Sequence, residues 1–175
     1  PINPGNSGGA LVNLRGELFV NDARHIPAEL PELVGPPGAP AVINTDNAFS
    51  AEVTARCRAR GLKIFSVGKL GADLKLLSTR RDGLGQQLIL QGGQKTHSVY
   101  LPLVGDFQTS NALVAAGLVL ATGGEDVLVM HALESLQGAK GRLELVGKSK
   151  TGASIFVDYA HTPDALDSAL RTLKE

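Results

Sequence analysis

Tryptophan is absent from this 175-residue chain, aromatic residues make up 4% of it, and there is one methionine and one cysteine. With so few rings, the core must be assembled from Leu, Val, Ile and Ala, and 21 glycines imply many tight turns. The lone Cys57 excludes an internal disulfide framework and permits a reducing compartment. Net charge is missing as well: 17 basic and 17 acidic residues cancel, leaving no field that would favour nucleic acid or an anionic membrane. No apolar run approaches the roughly 20 residues that span a bilayer, and no basic segment followed by an apolar one opens the chain. The expectation is a cytoplasmic protein without nucleic-acid or membrane partners, whose 43% hydrophobic content suffices for one real core.

What is present centres on residues 155–166, IFVDYAHTPDAL. Ile155, Phe156 and Val157 read as a short buried strand, with Asp158, Tyr159 and His161 at its carboxyl end, where ligands collect in open α/β sheets. Thr162 has the chemistry of an N-cap, Pro163 suits the first helical position, and Asp164 complements the helix dipole. Leu166, Ala169, Leu170 and Leu173 then recur at helical spacing and predict one buried stripe. Capping alone accounts for Thr162, Pro163 and Asp164; it leaves Asp158 and His161 unexplained.

Upstream, the text alternates between strand and helix signals. Residues 21–38 are rich in proline and read as a linker. AVIN (41–44) is a strand, Ser50 a candidate N-cap, and AEVTARCRARG a helix ended by Gly61 with Val53 and Cys57 inward; KIFSVG (63–68) returns as a parallel strand. Around residues 72–103, three alternating segments divided by Arg81-Asp82-Gly83 and Gly92-Gly93 predict a small antiparallel sheet, on which His97 takes an exposed, polar position. Residues 103–123 give a helix that is apolar nearly all round and therefore central. A second helix, EDVLVMHALESLQ, should turn Val127, Met130 and Leu133 or Leu136 to the core, and His131 has no partner in the sequence.

Over about residues 39–175 these segments resemble the Mur ligases, and most closely the MurE type, which adds the third residue, usually diaminopimelate, to UDP-N-acetylmuramoyl-L-alanyl-D-glutamate. The resemblance is carried by AVINTDN, RGLKIFSVG, LPLVGDFQTSNALVAAG, GAKGRLELVG and DYAHTPDAL, in family order. It implies an α/β fold: an incomplete Mur ligase central domain, with a mixed sheet, helices and a small antiparallel sheet, preceded by a hairpin-like N-terminal segment. By resemblance, Asn111, Arg142, Asp158 and His161 line the adenosine side of an ATP cleft, and Asn44 and Asp46 lie at a strand end facing it. Gln108 stands where the family often has Asn. ATP and magnesium would serve the parent family, with UDP-MurNAc-dipeptide as the other substrate. The residue types suit the task, since Arg can stack on a purine or hold phosphate, Asn both donates and accepts, and Asp accepts ribose hydroxyls.

Several expected parts have no counterpart in the sequence. The one GK[ST] run, Gly147-Lys148-Ser149, lacks the leading glycine of a P-loop and precedes a strand rather than a helix. No lysine precedes Lys63, so the family's carbamylated lysine before AVIN is missing, and only the start of a C-terminal domain is expected, over 163–175. The resulting expectation is a ligase fragment, inactive as this chain and binding no cofactor tightly, with self-association through an exposed sheet edge.

The first 20 residues follow another pattern. PINPGNSGGALVNLRGELFV resembles the nucleophile segment of HtrA/Deg-type trypsin-fold serine proteases, in which Ser7 would be the nucleophile and the N–H groups of Gly5 and Ser7 the oxyanion hole. That family places its His and Asp upstream, where only six residues stand, and nothing orients Asp22 or His25 toward Ser7. A serine without a base has no activated form. The alternative expectation is therefore a protease remnant or a noncatalytic interaction protein. By these patterns 1–20 reads as the protease-like fragment, 21–38 as linker, 39–162 as the partial central domain, and 163–175 as the beginning of the next.

Overall fold

The computed structural model describes residues 11–12, 18–20 and 36–174. Ser7, Gly5, Asp22 and His25 lie outside them. Two short strands, β1 (Leu11–Val12) and β2 (Leu18–Val20), pair antiparallel, and β2 runs parallel to β3 (Pro40–Asn44).

The centre is built on β3 and β4 (Lys63–Gly68), joined in parallel across α1 (Ser50–Ala59). Buried strands of this kind are covered on both faces. In β3, Ala41 and Ile43 pack with Val53 and Cys57 of α1, while the alternate Val42 joins a larger cluster under α2 (Asp106–Ala121) and α3 (Asp126–Glu134). At Gly117 of α2 an added Cβ would lie 2.8 Å from the Cγ1 atoms of Val42 and Val67, so the missing side chain is what lets the helix descend onto the sheet.

After β4 the chain doubles back within five residues. Asp73 accepts bonds from Ser66 N and Oγ, both at 2.7 Å, and Val67 pairs parallel with Leu74 of β5 (Leu74–Asp82). Strands β6 (Gly85–Gly92) and β7 (Lys95–Leu101) then add antiparallel, giving a seven-stranded sheet in sequence order. The three middle strands are thus an extension of the main mixed sheet rather than a sheet of their own. The separate small antiparallel sheet is β8 (Glu144–Lys148) with β9 (Ser154–Val157), followed by α4 (Pro163–Lys174).

Five local expectations need correcting. The N-cap of α1 is Phe49; Ser50 is the first helical residue and its hydroxyl donates to the Thr45 carbonyl at 3.1 Å. Helix α2 presents Asn111, Ala115 and Val119, four residues apart, to solvent, so it is not buried all round. In α3 the buried residues are Val129, Met130 and Leu133, while Val127 faces out. His97 is not exposed: its side chain packs against the start of α3, with Nε2 at 3.0 Å from the Asp126 carboxylate. Finally, Ile155, Val157, Leu166, Leu170 and Leu173 are exposed: among the described residues β9 pairs with β8 alone, and of the stripe expected on α4 Ala169 is the buried member.

The outer edge of β7 is partly closed. Glu134, at the end of α3, accepts from the Tyr100 backbone N–H at 3.4 Å, occupying a donor that an added strand would need. No helix among the described residues is long and apolar enough to cross a membrane.

Candidate functional site

At the carboxyl end of β3, Asn44 and Asp46 are committed to the local turn. Asn44 is buried and accepts from the Asp46 N–H at 3.0 Å; the Asp46 carboxylate accepts from Lys69 N at 2.9 Å and Leu70 N at 3.0 Å. Gly68, at φ 113°, makes room for this, since a Cβ there would sit 2.8 Å from that carboxyl group. The pair therefore fastens the exit of β4 to the exit of β3.

A second cluster forms where the turn before β8 meets the exit of β9. Gly141 (φ 68°) and Leu143 (φ 47°) both adopt left-handed backbone, which costs Leu143 about 1 kcal/mol. Asp158 holds the turn in place, accepting from Leu143 N at 2.8 Å through one carboxylate oxygen and from Ala160 N at 2.7 Å through the other. Tyr159 N donates to the Gly141 carbonyl at 2.9 Å, and the Tyr159 ring occupies the space a Gly141 side chain would need while remaining 75% exposed. His161 sets Nδ1 at 2.7 Å from the Tyr159 carbonyl; a carbonyl only accepts, so Nδ1 carries the proton. Thr162 caps α4 as its chemistry predicts, its hydroxyl accepting from Ala165 N at 3.3 Å.

This turn is tied to α2. Gln108, buried on the first turn of the helix, donates Nε2 to the Arg142 carbonyl at 3.1 Å. Asn111 follows one turn later on the same flank and is exposed. The Arg142 guanidinium is exposed and has no hydrogen-bond or ion-pair partner among the described residues. The structure thus gathers Arg142, Asp158 and His161 into one hydrogen-bonded loop, linked to α2 beside Asn111, while Asn44 and Asp46 serve the β4 exit.

Gln86 escaped the sequence reading altogether, as did the burial of Gln108 and the exposure of Tyr159. Gln86 is buried in β6 with its carboxamide fully engaged: Nε2 donates to the carbonyls of Leu103 at 3.1 Å and Gly105 at 2.9 Å, and Oε1 accepts from Thr109 at 3.0 Å and Thr79 at 3.3 Å. The signal was in the alternation, since Gln86 shares the inward face of Leu88 and Leu90. Gln108 falls on the same helical face as the buried Ala112 and Leu113, which would have placed it inside. Tyr159 offers an open aromatic face beside Gly141, and its exposure had no sequence signal.

Two cavities lie elsewhere. One of about 390 Å³ is lined by Arg81, Gly105, Asp106, Arg171 and Thr172 among others, and one of about 280 Å³ by His97, Met130, His131 and Glu134 among others. Neither is lined by the sequence-predicted site residues. Among the described residues no group of three His, Cys, Asp or Glu side chains is placed to hold a metal ion. Lys148 and Ser149 close β8 and open a turn that leads into β9, which is not the strand-to-helix setting of a P-loop.

Comparison with known proteins adds relatives. Residues 141–175 match the family described as Mur ligase, glutamate ligase domain, and the match begins ahead of the junction expected after Thr162. The chain is 48% identical over 147 residues to UDP-N-acetylmuramoyl-L-alanyl-D-glutamate--2,6-diaminopimelate ligase of Bradyrhizobium diazoefficiens, covering 82% of this chain and 30% of that protein. It is 45% identical to the enzyme of the same name from Caulobacter vibrioides, over 79% of this chain and 29% of the other. Among solved structures, MurF from Acinetobacter baumannii superposes with a TM-score of 0.70 at 26% identity, over 80% of this chain and 30% of that one. Folylpolyglutamate synthetase from Lactobacillus casei shares the fold, with a TM-score of 0.65 at 21% identity over 81% of this chain and 36% of the other. The chain spans about a third of the length of these relatives.

Proposed function

Because the chain belongs, over most of its length, to the Mur ligase family, we propose that it carries the adenosine side of the nucleotide site of an ATP-dependent, amide-bond-forming ligase of peptidoglycan precursor synthesis. The parent reaction would transfer the γ-phosphoryl group of ATP to a carboxylate and let the amine of diaminopimelate displace phosphate from the acyl phosphate. UDP-MurNAc-L-Ala-D-Glu would be the acceptor, in the cytoplasm. The chain itself would perform neither half-reaction, on the reading that its GK[ST] run, Gly147-Lys148-Ser149, leads from β8 into β9 rather than into a helix. The described pieces would divide into a late central-domain part and the opening of the next domain, which supplies β9's exit loop and α4.

The observation that carries the reading is the convergence of Arg142, Asp158 and His161 in one loop docked by Gln108 beside Asn111. Within it, Asn111 would read the purine edge with its paired donor and acceptor, and the Arg142 guanidinium would stack on the base or reach a phosphate. Each Asp158 oxygen already accepts one backbone N–H and retains an acceptor position for a ribose hydroxyl. The open ring of Tyr159 would give the base a second flat surface.

Without a phosphate grip, affinity should be at best millimolar, about 4 kcal/mol. Saturation-transfer NMR with ATP, AMP and GTP on the whole chain tests this. Adenine protons of ATP and AMP should saturate alike, GTP should respond less, and Arg142→Ala should remove the signal. No saturable adenine signal, or equal response to GTP, would overturn the reading.

A further inference from the structure

We propose that Gln108 is a positioning residue: its carboxamide clasps the Arg142 turn to α2 and thereby sets the spacing between Asn111 and Arg142, an inference that rests on the nucleotide reading above. The anchor end is rigid. Gln108 is buried at the first turn of α2, and its neighbour Thr109 donates to Gln86, whose Nε2 holds the carbonyls of Leu103 and Gly105 that lead into the helix. A buried, fully satisfied carboxamide of this kind fixes local geometry. The far end is shaped without Gln108. Arg142 N bonds the Ala139 carbonyl at 3.1 Å, Leu143 N bonds Asp158, and Tyr159 N bonds the Gly141 carbonyl.

Those internal bonds decide the phenotype. Removing the Gln108 amide leaves the turn folded and leaves the Asn111 and Arg142 side chains untouched. What is lost is one side-chain tie between the turn and the helix. Arg81, which donates to the Thr172 carbonyl at 3.4 Å, remains as a second tie between the main sheet and α4, so the β8–β9 unit should loosen rather than detach.

Gln108→Met keeps the length and removes the donor; Gln108→Leu removes it with a shorter apolar side chain, and serves if the Met variant fails to fold. Two quantities are read on the full chain: AMP affinity, and residual dipolar couplings of β8–β9 amides against those of β3–β7. The expected result is a loss of affinity of about threefold to tenfold, the worth of one amide–carbonyl bond, together with couplings that no longer fit a single orientation, at unchanged exchange of the Leu143 and Tyr159 amides. Unchanged couplings overturn the clasp. Disordered couplings with unchanged AMP affinity overturn the positioning role. Disordered couplings in a chain whose wild type binds no AMP keep the clasp and overturn the nucleotide reading instead.

Discussion

Replacing Asp158 by Ala should unfasten the turn at 141–143 before it disturbs anything else. The carboxylate is half-buried and makes two charge-assisted bonds to backbone N–H groups, at 2.8 and 2.7 Å. At the low end of the range for such bonds, because water reaches the site, each contributes about 1.5 kcal/mol, or about 3 kcal/mol together. The left-handed strain at Leu143 is relieved on opening in the wild type and the variant alike and cancels. The net local loss is therefore about 3 kcal/mol, which corresponds to roughly 150-fold more frequent opening. Amide hydrogen exchange at Leu143 and Ala160 should accelerate by about that factor, while Leu113 in α2 should exchange as before. A rise below about threefold at Leu143 and Ala160 would show that the carboxylate does not hold the turn. An equal rise at Leu113 would show that the two units unfold together.

Gly117→Ala should destabilise the main unit despite the better helix propensity of alanine, worth about 1 kcal/mol, because the new methyl meets Val42 and Val67, both fully buried, at 2.8 Å and overpacking costs about 1–3 kcal/mol; a raised urea midpoint would refute it. Leu166→Ala should change the midpoint by less than about 1 kcal/mol, since that side chain is 49% exposed, whereas Leu113→Ala in the core should cost about 2–5 kcal/mol. Burial raises the Cys57 thiol above its ordinary value of 9.0, with the Arg60 charge opposing. A raised thiol value favours the neutral native form, so its contribution to stability is complete below about pH 9 and is lost as pH rises through the folded value. Iodoacetamide should label Cys57 much more slowly in the native chain than in urea, and equal rates would refute that.

The β3–α1–β4 unit was legible because its pattern has one solution. A short apolar strand buried on both faces needs a helix on each side, and Val53 and Cys57 supply one of them at helical spacing. The continuation through β5 was not legible. Its parallel link to β4 is two residues long and is made by a doubled-back loop held by Asp73 and Ser66, so the text shows only hairpin signals. Burial failed at Ile155, Val157 and Leu166 for a different reason. An apolar run states that an element needs cover, but not where the covering layer lies.

The same distinction runs through the site. Residue chemistry pointed to Asp158 as an acceptor, and the structure has it accepting, yet from Leu143 and Ala160. Each carboxylate oxygen has two acceptor positions, so the backbone bonds do not compete with a ribose hydroxyl. The consequence is that loss of adenosine binding in an Asp158→Ala chain would carry no information about contact, because the turn bearing Arg142 would loosen in the same step. Arg142 separates the two cases. Its guanidinium is exposed and supports no other residue among those described, whereas its backbone holds the turn through Ala139 and Gln108, which substitution by Ala leaves in place. A nucleotide signal that vanishes in Arg142→Ala, with exchange at Leu143 unchanged, therefore reports a side chain touching ligand rather than a loop that has moved.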